Sequence, residues 1–322
     1  MFNNLLSVIV ISHTGSFDKT KFCLKALLEQ KTKIPFEIIV VNDGFDEKIS
    51  NLIETYKKYL DLKYFEREND MCVSLSRNIG ANNSKAKYLV FIDSDIILNP
   101  LALNHYYNLL SENKNTSIWG EFHSQGEKDI RLAIENKEFE KYINHKDNLI
   151  LYFKPFNYCF SASFAIEKEI YHQIGGFCEE FVGYGYEDKE FAYRLYKNRI
   201  KFLFNKDVSA LHLGNPLGVS DFYNKNRIDK NNKILLKKMF EDIKKFYFLD
   251  EKIVLKEFEY VHKLMGDTIY IFYIIYFLSI NNEAKALEYT KIAEKFLDKD
   301  TLSKIWQKYI IKKQNKEIAV WY

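Results

Sequence analysis

Tyr88-Leu-Val-Phe-Ile-Asp-Ser-Asp-Ile-Ile-Leu98 is the stretch that decides the fold. Its first half is a short apolar run of β-branched and aromatic residues, the composition of a parallel strand buried on both faces. Asp93 and Asp95 follow with one residue between them. Along an extended chain, side chains two apart point the same way. Both acids are therefore expected to face one site at the strand's C-terminal end, where open α/β sheets bind their ligands. Two adjacent carboxylates repel unless a cation offsets them. Mg²⁺ or Mn²⁺, which bind through oxygen and commonly bring a diphosphate, suit such a pair. A polar turn carrying solvated acids is the plainer alternative.

Upstream, Leu5–Ser12 reads as a first buried strand that His13-Thr-Gly-Ser16 ends. Lys19–Gln30 has helical spacing, with Phe22, Leu24, Leu27 and Leu28 as its apolar stripe. Pro35 breaks that region, Phe36–Val41 is a second strand, and Asn42-Asp43-Gly44 makes a turn. A helix over Ile49–Leu60, a short strand over Leu62–Phe65 and a helix over Ser74–Ser84 follow. Strands alternating with helices imply βαβ units and a mainly parallel sheet.

Downstream the order loosens. Pro100–Leu110 reads as a helix, Ser117–Phe122 as a strand and Glu127–Asn148 as a charged surface segment. Asn157–Ile166 is a candidate strand, and Glu167–Ile174 a short helix stopped by Gly175-Gly176. Tyr186–Asn198 reads as a helix, Ile200–Phe204 as a strand and Val208–Leu211 as a separate apolar piece before His212. From about residue 220, Lys, Asn and Ile dominate in a helical pattern. The expected division is a catalytic domain over 1–220 and a helical extension over 221–322. The apolar run Thr268–Leu278 is too short to span a bilayer. The lysine- and aromatic-rich end, with Trp306, Tyr309, Ile310, Trp321 and Tyr322, is a candidate peripheral membrane or partner-protein contact; a helix facing a core is the alternative.

With 47% hydrophobic residues, the 322-residue chain has enough apolar surface for a substantial core. A net charge of +3 gives no reason to expect a nucleic-acid partner. Cys23, Cys72, Cys159 and Cys178 form no C-x-x-C pair and suit a cytoplasmic protein with reduced thiols. The chain shows no signal-peptide pattern at its start.

The motifs gain force as an ordered set: Val40-Val-Asn-Asp-Gly44, Ser76-Arg-Asn-Ile-Gly80, Asp93-Ser-Asp95, Gly175-Gly-Phe177 and Gly185-Tyr-Glu-Asp188. Over about residues 5–215 this resembles the family 2 nucleotide-sugar glycosyltransferases of the GT-A fold. The stretch Gly183–Phe191 resembles the galactosyltransferase-type motif that bacterial chondroitin-type polymerases share, with Tyr184 where Trp is usual. Asn42 likewise stands where an acid is more common.

The resemblance implies a UDP-sugar donor and a Mn²⁺ or Mg²⁺ ion. It assigns Asp43 to the uracil N–H, Ser12 to the uridine pocket, and Arg77 to the diphosphate, whose oxygens a guanidinium suits. Asp95 becomes a direct metal ligand, Asp93 a metal or ribose ligand, Ser94 a donor contact and His212 the histidine completing the metal site. Asp188 becomes the base for the acceptor hydroxyl, with Glu187 on sugar hydroxyls. A base beside the site and a separate metal imply single displacement with inversion. The donor sugar favoured is galactose or N-acetylgalactosamine and the acceptor a surface glycan such as capsule or lipooligosaccharide. A nucleotidyltransferase and a non-catalytic glycan-binding module remain the alternatives.

Overall fold

The structure is a computed structural model that describes residues 5–125, 159–183, 185–213 and parts of 230–314. Glu127–Asn148 and Tyr184 lie outside the described residues, as do most of Thr268–Leu278 and the terminal Trp321 and Tyr322. The chain divides into two compact units, one ending at residue 232 and the other formed mainly by 233–322.

In the first unit the described strands form one eight-stranded sheet. They are β1 (Leu6–His13), β2 (Phe36–Asp43), β3 (Leu62–Arg67), β4 (Tyr88–Asp93), β5 (Ile96–Leu98), β6 (Thr116–Gln125), β7 (Ser163–Glu167) and β8 (Lys201–Leu213). Their order is β3-β2-β1-β4-β7-β6-β8-β5. All point the same way except β7 and β5, so the sheet is mainly parallel, as expected. The expected strand over Ile200–Phe204 and the apolar piece after it are one strand, β8. A register shift against β6 near Gly120 lets it pass from one pairing to the next.

Alternation along β1 shows why the helices lie where they do. Leu6, Val8 and Val10 meet α1 (Phe17–Leu28), α2 (Glu47–Tyr56) and α4 (Ala102–Glu112) through Leu24, Ile53 and Leu103. Ile9 points to the other face and meets α3 (Val73–Asn82). A Cβ on Gly80 would lie 2.3 Å from Ile9 Cγ2, so only glycine permits that approach. The same face carries α5 (Lys168–Gln173) and α6 (Glu187–Lys197) over an aromatic layer. There Phe164 stacks on both Phe91 and Trp119 at 4.7 Å, and Phe177 on Phe191 at 4.4 Å. Burial on both faces is what the continuous apolar runs of β1, β2 and β4 require.

In the second unit, α7 (Glu283–Ala293) and α8 (Lys299–Gln314) are joined by Trp306 Nε1 donating to Thr290 Oγ1 at 2.9 Å. Of the apolar run before them, Ile274, Phe277 and Leu278 are buried. No helix among the described residues is long and apolar enough to cross a membrane.

Candidate active site

The ends of the first strand and of the Asn42-Asp43 and Asp93 strands meet because β1, β2 and β4 are adjacent, parallel and in register. Ser12 pairs with Asn42, His13 with Asp43, and Ile11 with Asp93, so all three strand ends emerge at one sheet edge. The turn after β2 uses Gly44 at φ 106°; a Cβ there would meet Thr14 Oγ1 at 2.1 Å. Asp46 then caps α2 through Lys48 N and Ile49 N and also accepts from Gly15 N at 3.0 Å, tying the first two loops together.

Asp43 is buried and forms an ion pair with Arg67, its register neighbour on β3. Burial pushes its carboxyl up, against the pull of Arg67. Ser12 stands at the expected edge, but its hydroxyl is shared with Ser16 and Thr20 at 2.9 and 2.8 Å. It braces the turn into α1 instead of offering a free hydroxyl.

Asp93 and Asp95 do not stand on one extended strand. Asp93 ends β4, Ser94 and Asp95 form a turn, and β5 begins at Ile96. Backbone bonds pin this turn, from Ser94 N to Ile11 O and from Leu213 N to Asp95 O, both at 2.8 Å. The turn gives the two acids different nearest partners, although each still feels the other's charge. Asp95 Oδ2 lies 3.3 Å from Lys19 Nζ and 3.5 Å from His212 Nε2. Burial would raise Asp95, but His212 and Lys19 hold it below the usual carboxylate range. His212 is raised in turn, first by its bond to Asp95.

Asp93 faces Arg77. The guanidinium donates to Asp93 Oδ1 at 3.1 Å and Glu187 Oε1 at 3.2 Å, and sits 5.0 Å from the centre of the Phe177 ring. Arg77 is 2% exposed, so it is no solvated helix charge, and Nη1 and Nη2 are both engaged by acids. Burial raises the Asp93 carboxyl, opposed by Arg77 and reinforced by Asp95.

Glu187 and Asp188 open α6 after a loop with left-handed backbone at Gly183, Gly185 and Tyr186 (φ 77°, 97° and 75°). Acids in a first helical turn face the positive end of the dipole. Among the described residues, Glu187 Oε2 is buried without a hydrogen-bond partner. Asp188 is pushed up to about 7, first by burial and then by the neighbouring Glu187 charge, although Lys189 N and Arg77 favour its ionised form.

Several residues that shape the site carried no assignment from sequence. Asn78 Oδ1 accepts from Tyr171 and from Phe177 N, while its Nδ2 donates to Phe177 O and Glu179, fastening α3 to the Gly175-Gly176-Phe177 turn. Arg194 pairs with Glu190 and donates to the carbonyls of Ile174 and Gly176 at 2.7 Å. Asn231 donates to the carbonyls of Val182 and Gly185 at 3.1 Å, bracing the loop before Glu187 from beyond residue 220. The quoted Ser-Arg-Asn-Ile-Gly motif pointed toward Asn78, and Arg194 stands just after the ordered set's Gly185-Tyr-Glu-Asp188 without a role assigned to it. The sequence spacings carry no trace of Lys19 or Asn231.

The described residues contain no group of three or more His, Cys, Asp or Glu side chains arranged to hold a metal. The Asp95–His212 pair nevertheless suits two neighbouring positions on a cation whose other ligands are phosphate oxygens and water, the usual manner of Mg²⁺ sites on phosphate substrates.

Comparison with known proteins speaks to the family and the fold. Residues 149–212 match the N-terminal domain of galactosyltransferase. Hyaluronan synthase of Pasteurella multocida is 29% identical over 226 residues, 60% of this chain and 23% of that protein. Chondroitin synthase of Escherichia coli is 30% identical over 223 residues, again 60% of this chain and 32% of that protein. The chain thus matches about a quarter to a third of these relatives' length. Residues 1–349 of S. aureus TarS superpose with a TM-score of 0.56 at 15% identity, covering 90% of both chains. GalNAc-T7 with UDP, GalNAc and Mn²⁺ superposes at 0.54 and 14% identity, covering 73% of this chain and 48% of that one. At such identities these structures speak for the shared fold. Glycosyl transferase family 2 matches residues 7–175, more than half of the sequence and a span that contains the first three motifs, and the chain belongs to this family.

Proposed function

We propose that the chain is an inverting, metal-dependent transferase that moves a sugar from a UDP-sugar to a hydroxyl of a glycan acceptor. The observation that carries this reading is Arg77. One buried guanidinium joins Asp93 of the donor motif to Glu187, next to Asp188, across a sequence separation of 94 residues between the acids. Such a bridge makes the two acid motifs one site. Asp188 is the base: its carboxyl, poised near neutrality, can take the acceptor proton as the new bond forms. Glu187, with one buried oxygen open to a donor, binds a sugar hydroxyl. Asp43 holds the uracil edge, and the strand-end turns at Ser12 and Ser94 border the nucleotide.

Asp95 and His212 would hold Mn²⁺ or Mg²⁺, and Asp93 would reach the ion through water or touch the ribose. The ion's chemistry there is to offset the charge of the departing diphosphate. Solved relatives of this fold that carry UDP, UDP-GlcNAc or Mn²⁺ support the UDP-sugar and metal readings. The galactosyltransferase match and the synthase relatives favour galactose or N-acetylgalactosamine as the sugar and a capsule or lipooligosaccharide chain as the acceptor. The nucleotidyltransferase alternative loses support from the first loop, which is a short turn closed by Ser16 N to His13 O, not a glycine-rich basic cradle.

Release of UDP from a panel of UDP-sugars, measured with and without Mn²⁺, tests the reading. We expect manganese-dependent release, strongest with one of the two favoured donors. Absence of release with every donor, with and without a glycan acceptor, would overturn it.

A further inference from the structure

Asp95 Oδ2 has two neighbours of different kinds. His212 Nε2, on β8, is of the type that binds metals. Lys19 Nζ, from the first turns of α1, is not. Lys19 is no loose surface charge: its side chain is 15% exposed, that of Asp95 18%, and they meet at 3.3 Å. A divalent ion on Oδ2 would stand about 2.0–2.3 Å from that oxygen. An ammonium still 3.3 Å from the same oxygen would then lie within a few ångströms of the ion, and like charges at that spacing in a half-buried site repel strongly. The ammonium and the ion therefore do not share the oxygen comfortably. A lysine has a four-carbon stem that lets it leave without moving the backbone.

We propose that Lys19 and the divalent cation are alternative partners of Asp95 Oδ2. The ammonium closes the cation position in the donor-free chain, and it moves aside when the cation arrives with the donor diphosphate. Its new partners are phosphate oxygens, so the charge that blocked the ion then helps hold the donor. Lys19 is thus a positioning residue that makes cation binding depend on donor binding. This rests on the metal reading given above.

The test is Mn²⁺ binding to the full chain, read by the electron paramagnetic resonance of free Mn²⁺, with and without UDP and without turnover. Lys19→Met is compared with wild type and with Lys21→Met, an exposed lysine on the same helix. Freed of a charge-assisted bond, Lys19→Met should bind Mn²⁺ about tenfold more tightly without UDP. Lys21→Met should change it by less than about twofold, because exposed charges are screened. UDP should tighten Mn²⁺ binding more in wild type than in Lys19→Met. Equal or weaker binding by Lys19→Met, or an equal gain in Lys21→Met, would overturn the proposal while leaving the metal reading intact. No Mn²⁺ binding by any chain, even with UDP, would overturn the metal reading and this proposal together. If Lys19→Met does not fold, judged by circular dichroism, Lys19→Arg serves. Its guanidinium should hold Asp95 at least as firmly and weaken Mn²⁺ binding, and tighter binding would count against the proposal.

Discussion

In the proposed reaction, the environment of Asp188 would serve chemistry at a cost in stability. Burial and the Glu187 charge push its carboxyl up to about 7. A base works deprotonated, so kcat/KM should rise tenfold per pH unit below about 7 and level above it. A profile already flat at pH 5 would remove Asp188 from that role. The stability consequence has the opposite sign. A carboxyl raised above its unfolded value of about 3.9 keeps its proton in the folded state, so its contribution is present below that value and lost as pH rises through about 7. Asp188→Asn should therefore abolish transfer while leaving UDP binding intact. By removing a buried charge, it should also raise the melting temperature at pH 8 by about 3 °C or more, with little change at pH 4.

Arg77 belongs to the same scale. Its removal leaves Asp93 and Glu187 without their shared partner, one of them largely buried. Arg77→Met should cost about 3 kcal/mol or more of stability and most of the activity, measured by urea unfolding and UDP release. Adding Glu187→Gln should recover part of the stability and none of the activity.

At the scale of elements, the site depends on turns held from outside. Helix α6 presents Glu187 and Asp188 on its first turn, and its third turn carries Arg194 back to the Gly175–Gly176 carbonyl side. Glu190, 4% exposed at its side chain, depends on Arg194 for its charge balance. Arg194→Met should thus destabilise the fold by about 2–3 kcal/mol. It should also lower kcat through the loosened turn, although the side chain of Arg194 meets Glu190, two carbonyls and the Phe191 ring, none of them proposed to hold UDP or metal. A conservative Arg194→Lys should recover stability only in part, because one ammonium replaces a fork that reaches both a carboxylate and two carbonyls.

At the scale of the whole molecule, the compact first unit ends near residue 232, and Asn231 braces the loop that leads to Glu187. A chain ending at residue 220 lacks that brace; one ending at 232 keeps it. The longer form should retain UDP-dependent thermal stabilisation and transfer. The shorter one should lose transfer first, because the donor motifs on β1, β2 and β4 do not involve Asn231. Equal activity of the two forms would show that the brace is dispensable.

The sequence by itself determined the strands that end at Ser12, Asp43 and Asp93, because apolar runs such as Val8–Ile11 and Leu89–Ile92 have no stable place except a sheet covered on both faces. It also determined that Asp43, Asp93 and Asp95 lie at strand ends, and that a glycine-stopped helix precedes the Gly185-Tyr-Glu-Asp motif. Only the tertiary structure decided which acid meets which base. The turn at Ser94–Asp95 sends neighbouring carboxylates to Arg77 on one side and to Lys19 and His212 on the other. Register alone brings Arg67 beside Asp43, and the antiparallel pairing of β5 with β8 brings His212 opposite Ile96, next to Asp95. Periodicity encodes which face of an element is buried; ion pairs between residues a hundred apart depend on how separate elements stack, which no local pattern records.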